Sequence, residues 1–169
     1  MAASPSTGSA FDLRGTTWES LGRQAGVDPT LAYAVALTES RQMTGRAEAR
    51  PWPWVIRGPQ GAVVSATSAA AVAALSREMA RGSKNIDVGM MQVSLLYHRH
   101  RVDHPADLLD PETNIRVGMA ILRDALASTD DPVMGIGRYH SYDPARARAY
   151  GEAVLMTYQR LLRLSGAPS

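Results

Sequence analysis

A mainly α (α+β) domain with one small β-hairpin is the fold class this sequence predicts, and three observations carry it. Four helix starts are written alike, Asp28-Pro29, Asp110-Pro111, Asp131-Pro132 and Asp143-Pro144. In each, an Asp can accept from free backbone amides and the Pro that follows has its φ preset for a first helical turn. Apolar residues then recur at helical spacing over several long segments. One stretch, Trp54-Val-Ile-Arg, Gly58-Pro-Gln-Gly61, Ala62-Val-Val-Ser, has two β-branched runs around a turn, the pattern of a hairpin.

The chain of 169 residues, 45% of them hydrophobic, is one domain by size and long enough to bury a core. Residues 1–13, rich in Ala, Ser, Gly and Pro, read as a flexible N-terminal segment. Residues 14–165 read as the domain, with the hairpin inserted at about 52–66. A capping box, Thr16-Thr17-Trp18-Glu19, starts a short helix that stops at Gly26, where a left-handed residue is needed. The next helix runs from about Pro29 to Gln42, and helical pattern is lost at Gly45 and Pro51. Two isolated strands are marginal, so the hairpin has to lie on the helical body. From Ser68 to Arg81, Val72, Leu75 and Met79 follow helical spacing, and Gly82 ends the run. The Gly-interrupted segment Asn85–Ser94 reads as a loop entering a helix. Pro111 to Ala127 places Ile115, Met119, Leu122 and Leu126 on one face. The last helix, Pro144 to Leu164, does the same with Tyr150, Val154, Tyr158 and Leu161.

Composition excludes several classes of function. Without cysteine there is no disulfide, thiol nucleophile or thiolate metal site. The four histidines, His98, His100, His104 and His140, form no His-Glu-x-x-His arrangement, so no metal or other cofactor is expected. A net charge of +2 is a mild basic bias that suits an anionic polymer but falls short of a nucleic-acid footprint. There is no apolar run of membrane-spanning length. The start, Met1-Ala-Ala-Ser-Pro-Ser-Thr-Gly-Ser, lacks the layout of a secretory signal, which is expected of a cytosolic protein or of a mature form with a new initiator Met.

Glu39 is the most informative residue. It ends the apolar run Leu31-Ala-Tyr-Ala-Val-Ala-Leu-Thr-Glu39-Ser40, and with Leu31 and Val35 it falls on one stripe of spacing four, so its carboxyl should lie along the buried face. Burial disfavours the ionised form and can hold a Glu protonated near neutrality, as a general acid requires. The competing reading is an ordinary helix-terminal Glu.

Four segments then carry a resemblance: Glu39-Ser40, Gly89-Met-Met-Gln-Val93, Asn114-Ile-Arg-Val-Gly118 with Leu122, and Gly137-Arg-Tyr139-His-Ser141. In this order, over roughly residues 14 to 160, the chain resembles the SLT-type lytic transglycosylases, lysozyme-like enzymes that cut bacterial peptidoglycan. Trp52-Pro-Trp54 with a hairpin, and Asn85-Ile-Asp-Val-Gly ahead of the Met-Gln motif, look closest to members that serve conjugation, pilus or secretion machinery.

The resemblance implies a lysozyme-like helical domain, with Glu39 as sole catalytic acid/base and 1,6-anhydro-muramoyl ends as product. It implies that Ser40, Gly89, Met91, Gln92, Tyr139 and His140 bind substrate. Ser40 would orient the acid, or merely close its helix. Gln92 would bond sugar amides, and Met91 would wall a ring face or pack in the core. Gly89 would permit close approach or a turn, and the Tyr139 hydroxyl would reach the acid unless it is a core tyrosine. Asp87 is the candidate second acid, against a role within its own loop. Trp52 and Trp54 suit sugar stacking or, more readily, packing of the hairpin. Two positions depart from the family pattern: His140 stands where an Asn is usual, and Ser94 where an Asn often follows Met-Gln. The implied partners are peptidoglycan strands and a secretion or pilus assembly, with no nucleic acid and no membrane span, in the periplasm or outside the cell. A hydrolysing muramidase, a non-catalytic wall-binding scaffold and a nucleic-acid-binding module are the competing readings.

Overall fold

A computed structural model describes residues 11–44 and 48–166. All four Asp-Pro starts are helix N-termini. Asp28 caps α2 (Pro29–Ser40), Asp110 caps α5 (Pro111–Leu126), Asp131 caps α6 (Pro132–Arg138) and Asp143 caps α7 (Pro144–Ser165), each carboxylate accepting one or two first-turn amides. At α1 (Thr17–Ala25), Thr16 accepts from the Glu19 amide, while the Glu19 carboxylate takes the Gly15 amide at 2.7 Å. This first helix ends as expected on left-handed Gly26.

Helix α2 is the centre of the molecule. Ala32, Ala34, Val35 and Ala36 have no exposed surface, and the small alanines let α1, α5 and α7 close around it. Helix α7 ties it at both ends, because the Tyr158 hydroxyl donates to Asp28 at 2.6 Å and the Tyr150 hydroxyl to Glu39. For α7 to lie that close, α6 and α7 must touch backbone to backbone. A Cβ on Gly151 would come 2.1 Å from the Val133 carbonyl oxygen, and one on Gly137 would come 1.9 Å from that of Ala147.

Three expectations need correction. Helix α2 stops at Ser40, and the segment beyond it is a hairpin, β1 (Arg41–Thr44) against β2 (Glu48–Pro51), too short for alternation to announce it. The segment Asn85–Ser94 is not simply a loop entering a helix. It forms two-residue strands β5 (Asp87–Val88) and β6 (Val93–Ser94), which exist because β5 pairs with the expected hairpin strand β3 (Val55–Gly58). With β4 (Gly61–Val64) they make an antiparallel sheet of order β4-β3-β5-β6, followed by the single-turn helix α4 (Leu95–His98). In α3 (Ser68–Ala80), Val72 and Met79 face solvent, while Ala71, Ala74, Leu75 and Glu78 are buried. Glu78 is kept inside by Arg81, with its Cδ 3.2 Å from the position of a Cβ on Gly58, so α3 seats on β3. Residues 1–10 of the expected N-terminal segment lie outside the described residues.

The sheet has two unlike faces. Ile56, Val88 and Val93 form one cross-strand row and are buried in the core. The adjacent row, Arg57, Asp87 and Ser94, points to the opposite face, because neighbouring residues of a strand alternate sides.

Candidate active site

Glu39 lies one residue before the end of α2, and its side chain is 14% exposed. Burial is the main cause that pushes its pKa from 4.5 up to about 7, and the nearby Asp87 charge adds to it. The Tyr150 hydroxyl, donating to Oε1 at 2.5 Å, and the Arg57 guanidinium both favour the ionised form and offset part of the rise. The outcome is a carboxyl that holds its proton close to neutrality and keeps an opening to solvent. Across the site, Asp87 is also raised, first by burial, against the Ser94 hydroxyl and the Arg57 and His140 side chains that favour its charged form.

Around this acid the structure arranges the expected residues differently from the roles implied for them. Tyr139 is the clearest correction: its hydroxyl donates to the Met91 carbonyl at 2.6 Å, and the tyrosine bonded to the acid is Tyr150, from α7. Burial together with the Glu39 charge holds both phenols well above their usual pKa, so each stays a hydrogen donor. His140 stacks on the Tyr150 ring with centroids 4.7 Å apart and planes within 3°. Its Nδ1 stands 4.0 Å from Glu39 Oε1, beyond hydrogen-bond reach, and the ring is half exposed.

Gln92 and Met91 turn inward. The Gln92 amide donates to the Gly89 carbonyl at 2.8 Å and the Val55 carbonyl at 3.3 Å, and its Oε1 accepts from Arg57 Nε at 3.3 Å. Its φ of 46° is the one positive value outside glycine among the described residues, a strain of roughly 1–3 kcal/mol that these bonds must hold in place. Met91 has no exposed surface, and its sulfur would lie 2.4 Å from a Cβ at Gly118. It packs in the core and cannot wall a sugar ring. Ser40, also buried, does not touch the acid: its hydroxyl donates to the Ala36 and Met90 carbonyls and accepts from the Trp52 amide. It thus fixes the end of α2 to the Met-Gln loop. Trp52 donates from its indole to the Ser65 carbonyl at 2.8 Å and meets Trp54 edge to face, as packing of the hairpin requires.

Asn114 is the residue that the candidate set lacked. Buried at the start of α5, it accepts from the Met91 amide at 2.8 Å and donates to the carbonyls of Val88 and Leu108 at 2.9 and 2.8 Å. One side chain therefore satisfies three backbone groups, one in the loop, one on strand β5 and one in the segment before α5. Gly89 makes that possible, since its φ is 81° and a Cβ there would sit 2.1 Å from the Asn114 amide nitrogen. The signal in the sequence was an Asn placed in a helix after the capping Asp110, where no cap is needed. Tyr150 had no such signal, since its spacing is that of the core face of α7.

Two surface hollows, one beside Phe11–Arg14 and one beside Thr16–Trp18, contain neither Glu39 nor Tyr150. Chemically the site can give a proton to, and take one back from, a ligand lying between the end of α2 and the polar sheet face.

A family model described as Transglycosylase SLT domain matches residues 61–160, more than half of the chain. The loop 89–92, Asn114, Tyr139, His140 and Tyr150 fall inside the match, whereas Glu39, Ser40 and Arg57 precede it. No curated protein and no solved structure matches the chain.

Proposed function

Because this chain belongs to the transglycosylase SLT domain family, whose chemistry is directed at cell-wall peptidoglycan, we propose that it is a lytic transglycosylase with Glu39 as its catalytic acid and base. The single observation that carries the reading is a nearly buried carboxyl, held to a pKa of about 7, with a hydroxyl donor on one oxygen. The protonated carboxyl gives its proton to the oxygen between N-acetylmuramic acid and N-acetylglucosamine as positive charge develops on the muramoyl ring. The carboxylate then takes the proton of the sugar's own 6-hydroxyl while that oxygen closes on the anomeric carbon, which leaves a 1,6-anhydro end. The muramoyl 2-acetamido group can stabilise the intermediate, so the protein need supply no second carboxylate. Ser40, Gly89, Met91, Gln92 and Tyr139 act from behind, holding the loop against the acid, and His140 is the member of the set exposed enough to touch sugar.

Asp87 favours a second reading. Its charge is close enough to raise the pKa of Glu39, so it can stabilise an oxocarbenium-like centre and let water attack, as in a muramidase. The products separate the two. Purified protein incubated with peptidoglycan sacculi should release anhydro-ended muropeptides by mass spectrometry, whereas reducing ends would identify a muramidase. Glu39→Gln should release neither. A parent protein that binds the wall without turnover would be a scaffold component. The cellular role we attach is local wall opening for a conjugation, pilus or secretion apparatus, in the periplasm or outside the cell, on the strength of the Trp52-Pro-Trp54 hairpin and the Asn85–Gly89 segment.

A further inference from the structure

We propose that Arg57 makes the site select a glycan carrying a carboxylate beside the sugar bond that Glu39 attacks; the inference deepens the function proposed above and rests on it. Arg57 shares its cross-strand row with Asp87 and Ser94, on the polar face of the sheet. It is exposed, yet it is held: its Nε donates to the side-chain Oε1 of Gln92, whose Nε2 is already committed to two backbone carbonyls. No ion pair of Arg57 is formed among the described residues, although it stands opposite Asp87, and neither terminal guanidinium nitrogen has a hydrogen-bond acceptor among them. Its charge nevertheless bears on both Glu39 and Asp87.

A guanidinium fixed at Nε and open at both terminal nitrogens is prepared to receive a carboxylate end-on, with two parallel hydrogen bonds. Without that cation, the charge of Asp87 would repel an acidic group entering the site. The chemistry of the strand supplies such a group. A muramoyl ring carries a lactyl ether, whose carboxyl is free when the peptide has been removed and is otherwise joined to a stem peptide with carboxyl groups of its own. A polymer of N-acetylglucosamine has neither.

The test uses the full chain with Glu39→Gln, so that strands are bound without being cut, and compares Arg57, Arg57→Gln and Arg57→Lys by titration calorimetry. Three soluble strands serve as probes: peptide-bearing glycan, amidase-stripped glycan with free lactyl carboxylates, and chitohexaose. The ratio of affinity for a carboxylate-bearing strand to that for chitohexaose should fall about tenfold in Arg57→Gln and be partly restored in Arg57→Lys. Whether the fall appears with the stripped or the peptide-bearing strand identifies the carboxylate. An unmoved ratio with both strands, or equal losses on all three, overturns the inference while leaving the glycan-cleaving reading intact. Failure of the Glu39→Gln protein to bind any strand overturns both.

Discussion

Tyr150 and Glu39 form a pair 111 positions apart, and their hydrogen bond tunes the acid in a definite direction. Tyr150→Phe removes a donor that favours the carboxylate, so the carboxyl should keep its proton to higher pH. The alkaline limb of the pH–rate profile should then shift upward, whereas Tyr139→Phe, which frees the Met91 carbonyl, should leave that limb in place and cost about 1 kcal/mol of stability. Stability carries the same signature. Glu39 has a folded-state pKa of about 7, raised from 4.5, so the native protein binds this proton more tightly than the unfolded chain. Its contribution is therefore fully present below pH 4.5 and is lost as pH rises through 7, a change of about 3 kcal/mol. Unfolding free energies from urea titrations should show Glu39→Gln matching the parent near pH 4.5 and exceeding it by up to that amount at pH 8. Glu39 was legible in the sequence because an apolar stripe ends on it. Tyr150 was not, because a tyrosine on the stripe Tyr150, Val154, Tyr158 looks like core until the chain is folded.

The elements divide along a similar line. Helix starts were readable from Asp-Pro pairs because capping is a local event, settled within three residues. Strands β5 and β6 were not, since two residues have no period, and they form only when β3 arrives from some thirty positions away. The loop between them depends on Asn114 in α5. Replacing Asn114 by Ala would leave a buried Met91 amide and two carbonyls without partners, a loss of about 3 kcal/mol or more, measurable by chemical denaturation. Gly89→Ala should be comparably damaging, because a Cβ would enter the space of the Asn114 amide on a backbone that L residues rarely adopt. Both variants should depress wall cleavage through the loop, with the alkaline limb set by Glu39 unmoved in whatever activity remains.

At the scale of the molecule, the site is assembled from parts that no single stretch contains: an acid from α2, a hydroxyl from α7, and a polar row from a sheet braced by α3 and α5. The stretch Ala34 to Leu37 of helix α2 is buried, so the amides of Val35 to Leu37 should exchange with solvent only through global unfolding, whereas those of the edge strand β4, all of whose residues are exposed, should exchange by local opening. Among the described residues no helix is long and apolar enough to cross a membrane. The family match begins at residue 61 and so leaves the acid outside it, and the case for Glu39 rests on its burial and its partners. The most direct measurement is a carbon-13 NMR titration of the Glu39 carboxyl in the intact protein. A midpoint near pH 7 is the result predicted, and a midpoint near 4.5, that of a freely solvated glutamate, would contradict the account.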